Sequence, residues 1–215
     1  MHAIFFISIL IVFDKILRII LIAACRSALH QQYFPTAKVL PGVDALLLTL
    51  RYRVDNVHMA IATSSSAANV QLKIKNLKDT FALFQPERIL VGDDLRIPKG
   101  RGKPCPDIYL QSLKSINEGL KEDEKPILPI ECLVLEDGIP GVTAGRRAGM
   151  RVAWVPHPDL ASLIKGSEAE VLAGKGMKNN EDCYELGFAG DGWGEQLSSL
   201  QSFPFEKYGM DVRYG

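Results

Sequence analysis

Four short apolar runs limit what this chain can become: VHMAIAT (57–63), RILV (88–91), CLVLED (132–137) and RVAWV (151–155), each followed by Ser, Gly or Pro. All four are too short for a stable helix. Their apolar residues run on largely without alternating, the pattern of strands covered on both faces in a parallel sheet. Helical spacing fills the intervals. Pro41 and Gly42 open a run with Val43, Leu46, Leu47, Leu50 and Val54, which predicts a helix to about Arg53. The serines 64–66 can cap a helix carrying Val70, Ile74 and Leu77. Pro106 opens another with Ile108, Leu110 and Leu113, and a last one runs over Val142 to Ala148 and stops at Gly149. Strands alternating with helices over short connections predict an α/β fold, a parallel sheet with right-handed crossovers and helices on both faces.

The remaining segments carry less. Residues 118–129 are charged and contain proline, which reads as a surface insertion. Beyond residue 158 the pattern weakens: 161–171 predicts one helix, 174–194 a glycine-containing loop with Trp193 packing locally, and 197–205 a closing helix or an edge segment. Cys25, Cys105, Cys132 and Cys183 lie far apart without metal-ligand spacing and read as reduced, intracellular thiols, and His2, His30, His58 and His157, equally scattered, read as structural or surface residues. With 25 basic and 25 acidic side chains the formal charge is zero, which gives no footprint for nucleic acid and makes a small molecule the expected partner.

In open parallel sheets, ligands bind at the carboxyl ends of the strands. That rule singles out Thr63 with Ser64 and Ser65, Asp93 and Asp94, and Glu136 with Asp137. Thr63 offers a hydroxyl beside the first N–H groups of a helix, an arrangement that can hold a phosphate or serve as a plain cap. Lys103, on a loop between Gly102 and Pro104, could neutralise a phosphoryl oxygen or stand in solvent. Two adjacent carboxylates at the end of an apolar strand repel unless a cation relieves them, and oxygen ligands with a few waters suit Mg²⁺.

Residues 3–24, AIFFISILIVFDKILRIILIAA, are the most apolar stretch, interrupted by Asp14, Lys15 and Arg18. Four readings stay open. A signal peptide lacks its leading basic region, and a membrane span meets the length but carries charges near its middle. A buried parallel strand over Ile4 to Phe13 fits the Ile, Phe and Val content. The fourth is that the segment is not native coding sequence.

The stretches AIATSSS, GKPCPDIYL and LVLEDGIPGVTAGRRAGM resemble, in order, the second, third and fourth motifs of the haloacid-dehalogenase-like hydrolases. FPTAKVLPGVDALL and VGDD are similar to the eukaryotic, pseudouridine-5′-phosphatase-like branch, and the resemblance covers about residues 33–157. It implies a three-layer Rossmann-like core and a Mg²⁺-dependent phosphatase that forms an aspartyl-phosphate intermediate. The implied substrate is a small phosphorylated metabolite such as a nucleotide or sugar phosphate. Carried over by position, Thr63, with Ser64, binds the transferring phosphoryl group, Lys103 stabilises its charge, and Asp137, with Glu136, holds Mg²⁺. Asp94 is a weaker site candidate.

The chain departs from that family at its start. The Asp-x-Asp-Gly-Thr motif, whose first Asp is the nucleophile and second the general acid and base, does not occur. Asp14 ends an apolar run as a nucleophile would, but Ile16 stands at the general-acid place, so Asp14 reads as an ordinary charged interruption. The helical cap domain is expected to be missing or vestigial. The division is therefore an apolar segment 1–32, serving as anchor, replacement strand or non-native sequence, and a hydrolase core with a C-terminal extension over 33–215. By resemblance the lost motif strand is central, and Ile4 to Phe13 could fill its slot without restoring the chemistry. The expected location is cytoplasmic, with membrane anchoring through residues 3–24 as the alternative. The rival function is a phosphate- or Mg²⁺-binding regulatory protein without turnover.

Overall fold

The continuous apolar runs become strands because both of their faces are covered. In the computed structural model, which describes residues 3–7, 11–12, 23–177 and 187–213, the main sheet takes β1 (Ala3–Ile7), β4 (Val57–Ala62), β5 (Ile89–Leu90), β6 (Cys132–Glu136), β7 (Arg151–Trp154) and β8 (Gly194–Gln196). Their order is β5-β4-β1-β6-β7-β8, and every pairing is parallel. A separate antiparallel pair joins β2 (Ile11–Val12) to β3 (Lys38–Val39). The helices are α1 (Ala23–Tyr33), α2 (Val43–Tyr52), α3 (Ala67–Ile74), α4 (Lys78–Phe81), α5 (Asp107–Asn117), α6 (Ile139–Arg147), α7 (Pro158–Leu163) and α8 (Glu168–Leu172).

Side chains alternate along a strand, so one run of apolar residues feeds two cores. Met59, Ile61, Leu133 and Leu135 join Leu46, Leu47 and Leu50 of α2 on one face. Ala60, Ala62, Val134, Val152 and Trp154 meet Ile108, Leu113 and Ile116 of α5 and Val142 of α6 on the other. The expected α/β architecture with a parallel sheet is present as three layers.

The apolar start of the chain supplies the central strand. β1 is in register with β4 on one side, from Ala3 opposite Val57 to Ile7 opposite Ile61, and with β6 on the other, where Ile7 faces Leu135. Of the expected Ile4 to Phe13, Ile4–Ile7 lie in β1 and Ile11 and Val12 pair with β3, while residues 8–10 and 13, like Asp14, Lys15 and Arg18, lie outside the described residues. No helix among the described residues is long and apolar enough to cross a membrane.

Three details toward the C-terminus differ from the sequence reading. Gly194, read as the last residue of a loop, instead opens the edge strand β8. Its pairing is carried by backbone groups, with Val152 N donating to the Trp193 carbonyl and Leu197 N to the Trp154 carbonyl. The single helix over 161–171 is two, α7 and α8, because Gly166 adopts φ +91° between them. The segment 197–205, read as a closing helix or an edge segment, has neither helix nor strand before the 3-10 turn that opens at its last residue, Phe205–Tyr208.

Candidate active site

The carboxyl ends of β4 and β6 open into one cavity of about 610 Å³. Its lining brings together Thr63, Ser64, Ser65, Lys103, Glu136 and Asp137, with His30 and Phe34 on one wall. Every residue named for phosphate or metal from the sequence is therefore in the same pocket, apart from Asp94.

Thr63 follows β4 directly. Its N–H continues the ladder by donating to the Leu90 carbonyl at 3.0 Å, and its Oγ1 accepts from Ser65 N at 3.1 Å. A hydroxyl that accepts in this way keeps its own proton to donate elsewhere. The turn is held against the loop after β5, where Gly92 N donates to the Ser65 carbonyl at 2.8 Å. A Cβ at position 92 would sit 2.3 Å from the Ser64 carbonyl oxygen, so only glycine allows that approach. The two acids that follow Gly92 face other tasks. Asp93 accepts from Ala67 N at 2.8 Å, occupying the first turn of α3. Asp94 is paired with Arg96 at 2.6 Å, and those hydrogen bonds hold its carboxyl below the usual range. Asp94, the weaker candidate, is not among the residues lining this cavity and pairs instead with the guanidinium two residues along the chain.

At the end of β6, Glu136 is 2% exposed and fully engaged. Its Oε1 accepts from Lys103 Nζ at 2.5 Å and from the Tyr109 hydroxyl at 2.6 Å. Its Oε2 accepts from Asp137 N at 3.1 Å and Gly138 N at 3.2 Å. Lys103 Nζ also donates to the Ala62 carbonyl at 2.9 Å, and its ammonium stands 4.8 Å from the centre of the Tyr109 ring. Glu136, expected to join Asp137 at a cation, here gives both of its oxygens to these donors. Its Oε1 fixes Lys103 at the pocket floor, and the hydroxyl of Tyr109, buried in α5, donates to the same oxygen. Burial and the adjacent Glu136 charge push the Tyr109 hydroxyl well above its ordinary pKa, so it remains a donor.

The start of α6 depends on this arrangement. A Cβ on Gly141 would lie 1.8 Å from Glu136 Oε1, and that oxygen cannot swing away without leaving its partners. Gly141→Ala is expected to cost about 2–3 kcal/mol by overpacking, read as a fall in the thermal unfolding midpoint. An unchanged midpoint would show that the carboxylate is not pinned.

Asp137, the next residue, is half-buried and lines the pocket. Burial first, and then the Glu136 charge, outweigh the attraction of Lys103 and push its pKa up to about 7. A carboxyl raised in this way lends the fold stability that is present below its ordinary pKa and is lost as the pH climbs toward 7, because over that range the unfolded chain gives up its proton while the folded state still holds one. A cation beside it would reverse that cost. Among the described residues no group of three or more His, Cys, Asp or Glu side chains forms a ready-made metal cluster. Mg²⁺ is commonly held through one or two carboxylates with waters and substrate phosphate oxygens, and a single raised carboxyl beside phosphate-binding groups fits that donor set.

Lys73 was not legible as a site residue. It sits in α3 only 8% exposed, donates to Ser65 Oγ at 2.8 Å, and places its ammonium 4.7 Å from the centre of the Phe34 ring. Burial lowers its pKa, while the Asp137 charge opposes the shift. Because an ammonium only donates, Ser65 Oγ must accept there, which directs its own proton elsewhere. Phe34 in turn stacks on His30 of α1, with ring centres 4.3 Å apart and planes within 15°. Neither ring was singled out as a site residue from the sequence: Phe34 meets Lys73 of α3, and His30 is joined to it only through Phe34.

Several known proteins resemble this chain. The family model "haloacid dehalogenase-like hydrolase" matches residues 13–149. The chain is 40% identical over 183 residues to a probable pseudouridine-5′-phosphatase of Saccharomyces cerevisiae, covering 85% of this chain and 66% of that protein. It is 33% identical over 135 residues to (DL)-glycerol-3-phosphatase 2 of Arabidopsis thaliana, covering 63% of this chain and 51% of that protein. The chain thus spans about two thirds and about half of these relatives' lengths. Among solved structures, a HAD hydrolase of family IA, variant 3, from Entamoeba histolytica superposes with a TM-score of 0.61 at 18% identity, over 97% of each chain.

Proposed function

Because the chain belongs to the haloacid dehalogenase-like hydrolase family, we propose that its pocket binds the phosphoryl group of a small phosphomonoester together with Mg²⁺, as the core of a phosphatase. The observation that carries this reading is the convergence of Thr63, Lys103 and Asp137 on one cavity, with Lys103 locked in place by Glu136. Phosphatases of pseudouridine-5′-phosphate and of glycerol-3-phosphate are among its relatives, which supports a small phosphorylated metabolite as the ligand.

The residues divide the work. Thr63 donates its hydroxyl proton to one phosphoryl oxygen, and Ser64, exposed at the same turn, offers a second hydroxyl. Lys103 presents a fixed ammonium whose charge is balanced by Glu136, so it orients an anion without leaving a net positive hole when the pocket is empty. Glu136 and Tyr109 are positioning residues for Lys103. Asp137 is the residue that would hold Mg²⁺, which when bound supplies charge neutralisation at the phosphoryl oxygens.

A second reading, binding without turnover, is favoured by one observation. The central slot of the sheet is filled by β1, and residues 1–13 contain no carboxylate. A covalent phosphoryl intermediate needs a nucleophile within reach of the pocket, and Asp14 lies outside the described residues.

Two measurements test these readings. Isothermal titration with inorganic phosphate, with and without Mg²⁺, is expected to show binding that Mg²⁺ strengthens about tenfold, the scale of one charge-assisted contact. In Asp137→Asn the Mg²⁺ increment should vanish while binding without Mg²⁺ persists. No phosphate binding in the wild-type chain would reject the pocket assignment. Turnover of an aryl phosphate then separates the two readings: Mg²⁺-dependent hydrolysis abolished in Asp137→Asn supports the phosphatase, and binding without hydrolysis supports the second.

A further inference from the structure

Arginine is seldom buried unless its charge is met, yet α6 ends on two arginines that are 8% and 6% exposed, Arg146 and Arg147. The first meets a carboxylate, in an ion pair with Asp191. The second reaches backbone: Arg147 Nη1 donates to the Pro104 carbonyl at 3.1 Å and Nη2 to the Met177 carbonyl at 3.2 Å. One guanidinium therefore ties the end of α6 to the loop before α5 and to the chain that follows α8.

Pro104 directly follows Lys103. Proline has no N–H, so its carbonyl is the only backbone group there that can enter a hydrogen bond, and Arg147 takes it. The loop is closed beneath by a turn in which Cys105 N donates to the Gly102 carbonyl at 3.0 Å. Lys103 is thus fixed at both ends. Glu136 and the Ala62 carbonyl hold its ammonium, and Arg147 holds the backbone beside its root. Glu136 lies just before α6 and Arg147 ends it, so a single helix sets both the tip and the base of a lysine whose stem has four flexible carbons. Side chains on a helix lean toward its N-terminus, which lets Arg147 reach back along α6. The third segment lies along the same helix, since a Cβ on Gly176 would sit 2.6 Å from Ile139 Cγ2 at the first residue of α6.

We propose that Arg147 is a positioning residue for Lys103, its guanidinium setting the loop so that the ammonium meets a phosphoryl oxygen in the pocket. The proposal rests on the phosphate reading given above and extends the machinery of that site to the far end of α6 and the segment after α8. Lysine at this position would serve less well, because a compact ammonium lacks the planar fork that spans two carbonyls.

The test is acetylation of the full chain with acetic anhydride, followed residue by residue by mass spectrometry. The Lys103 side chain is 4% exposed, and Lys73, 8% exposed and held by Ser65, is the internal reference. In Arg147→Met, Lys103 should be labelled about tenfold faster, the scale of losing a hydrogen bond to a charged group, while the Lys73 rate stays unchanged. Titration calorimetry should show inorganic phosphate binding about tenfold more weakly, with the further strengthening by Mg²⁺ retained because it depends on Asp137. Arg147→Lys should fall between wild type and Arg147→Met in both measurements, and it carries the test if Arg147→Met does not fold. An unchanged Lys103 rate, or a rise at Lys73 equal to that at Lys103, would overturn the proposal. So would unchanged phosphate affinity in a variant whose Lys103 has become reactive. Absence of phosphate binding in the wild-type chain would overturn the phosphate reading alone, since labelling reads the link between Arg147 and Lys103 without any ligand.

Discussion

Phe5→Pro should leave the chain without a cooperative unfolding transition. Phe5 lies at the middle of β1, opposite Met59 of β4 and Leu133 of β6, in a strand hydrogen-bonded on both sides. Proline there has no N–H to give to the ladder, and it is tolerated in sheets only at edges, strand starts or bulges. Each buried backbone group left without a partner costs about 1–3 kcal/mol, and displacing the strand orphans groups on both neighbours. A domain of this size is stable by only about 5–15 kcal/mol in total. Urea denaturation followed by circular dichroism reads the result as a broad, non-sigmoidal loss of signal. A sharp transition at the wild-type midpoint would show that the sheet closes without β1.

The second large effect concerns the pair at the pocket floor. Lys103 and Glu136 have side chains 4% and 2% exposed and meet at 2.5 Å. Removing one member strands the other as a buried charge, so Lys103→Met and Glu136→Gln should each destabilise the fold by about 3–5 kcal/mol. The double variant is expected to cost less than the sum by about 1–3 kcal/mol, because no lone charge remains. Urea unfolding of the four proteins measures this directly. Additive losses would mean that the two side chains do not depend on each other. The cycle also separates folding from binding, since the double variant, although partly recovered in stability, should still fail to bind inorganic phosphate without the Lys103 ammonium.

The strands that frame the site were legible because their sequence needs no long-range information. A run such as CLVLE has nowhere to go but a position covered on both faces, and the polar residue ending it must then lie at the strand's carboxyl end. Thr63 and Asp137 followed from that logic, and Lys103 from the family resemblance. What each acid would do was not legible. Asp94 reads as a strand-end carboxylate until Arg96 folds back on it. Glu136 and Asp137 are neighbours in sequence with opposite environments, one enclosed by donors and one left raised. Lys73 reads as a solvated helix lysine, since its burial comes from Ser65 and Phe34, eight residues and nearly forty residues away. β8 escaped notice for another reason: Gly-Glu-Gln carries no apolar signal, and its pairing uses backbone alone.

The position of β1 has a consequence for how the molecule is made. The first strand in chain order sits between the fourth and the sixth, so neither side of it can be paired until Val57–Ala62 and then Cys132–Glu136 have emerged. During synthesis the most apolar stretch of the protein waits longest for its second partner. Pairings of such long sequence separation slow folding and leave sticky intermediates open to aggregation. The nascent chain should therefore lean on holdase chaperones until β6 arrives, and the closing of the sheet's centre becomes the event that commits the protein to its native state.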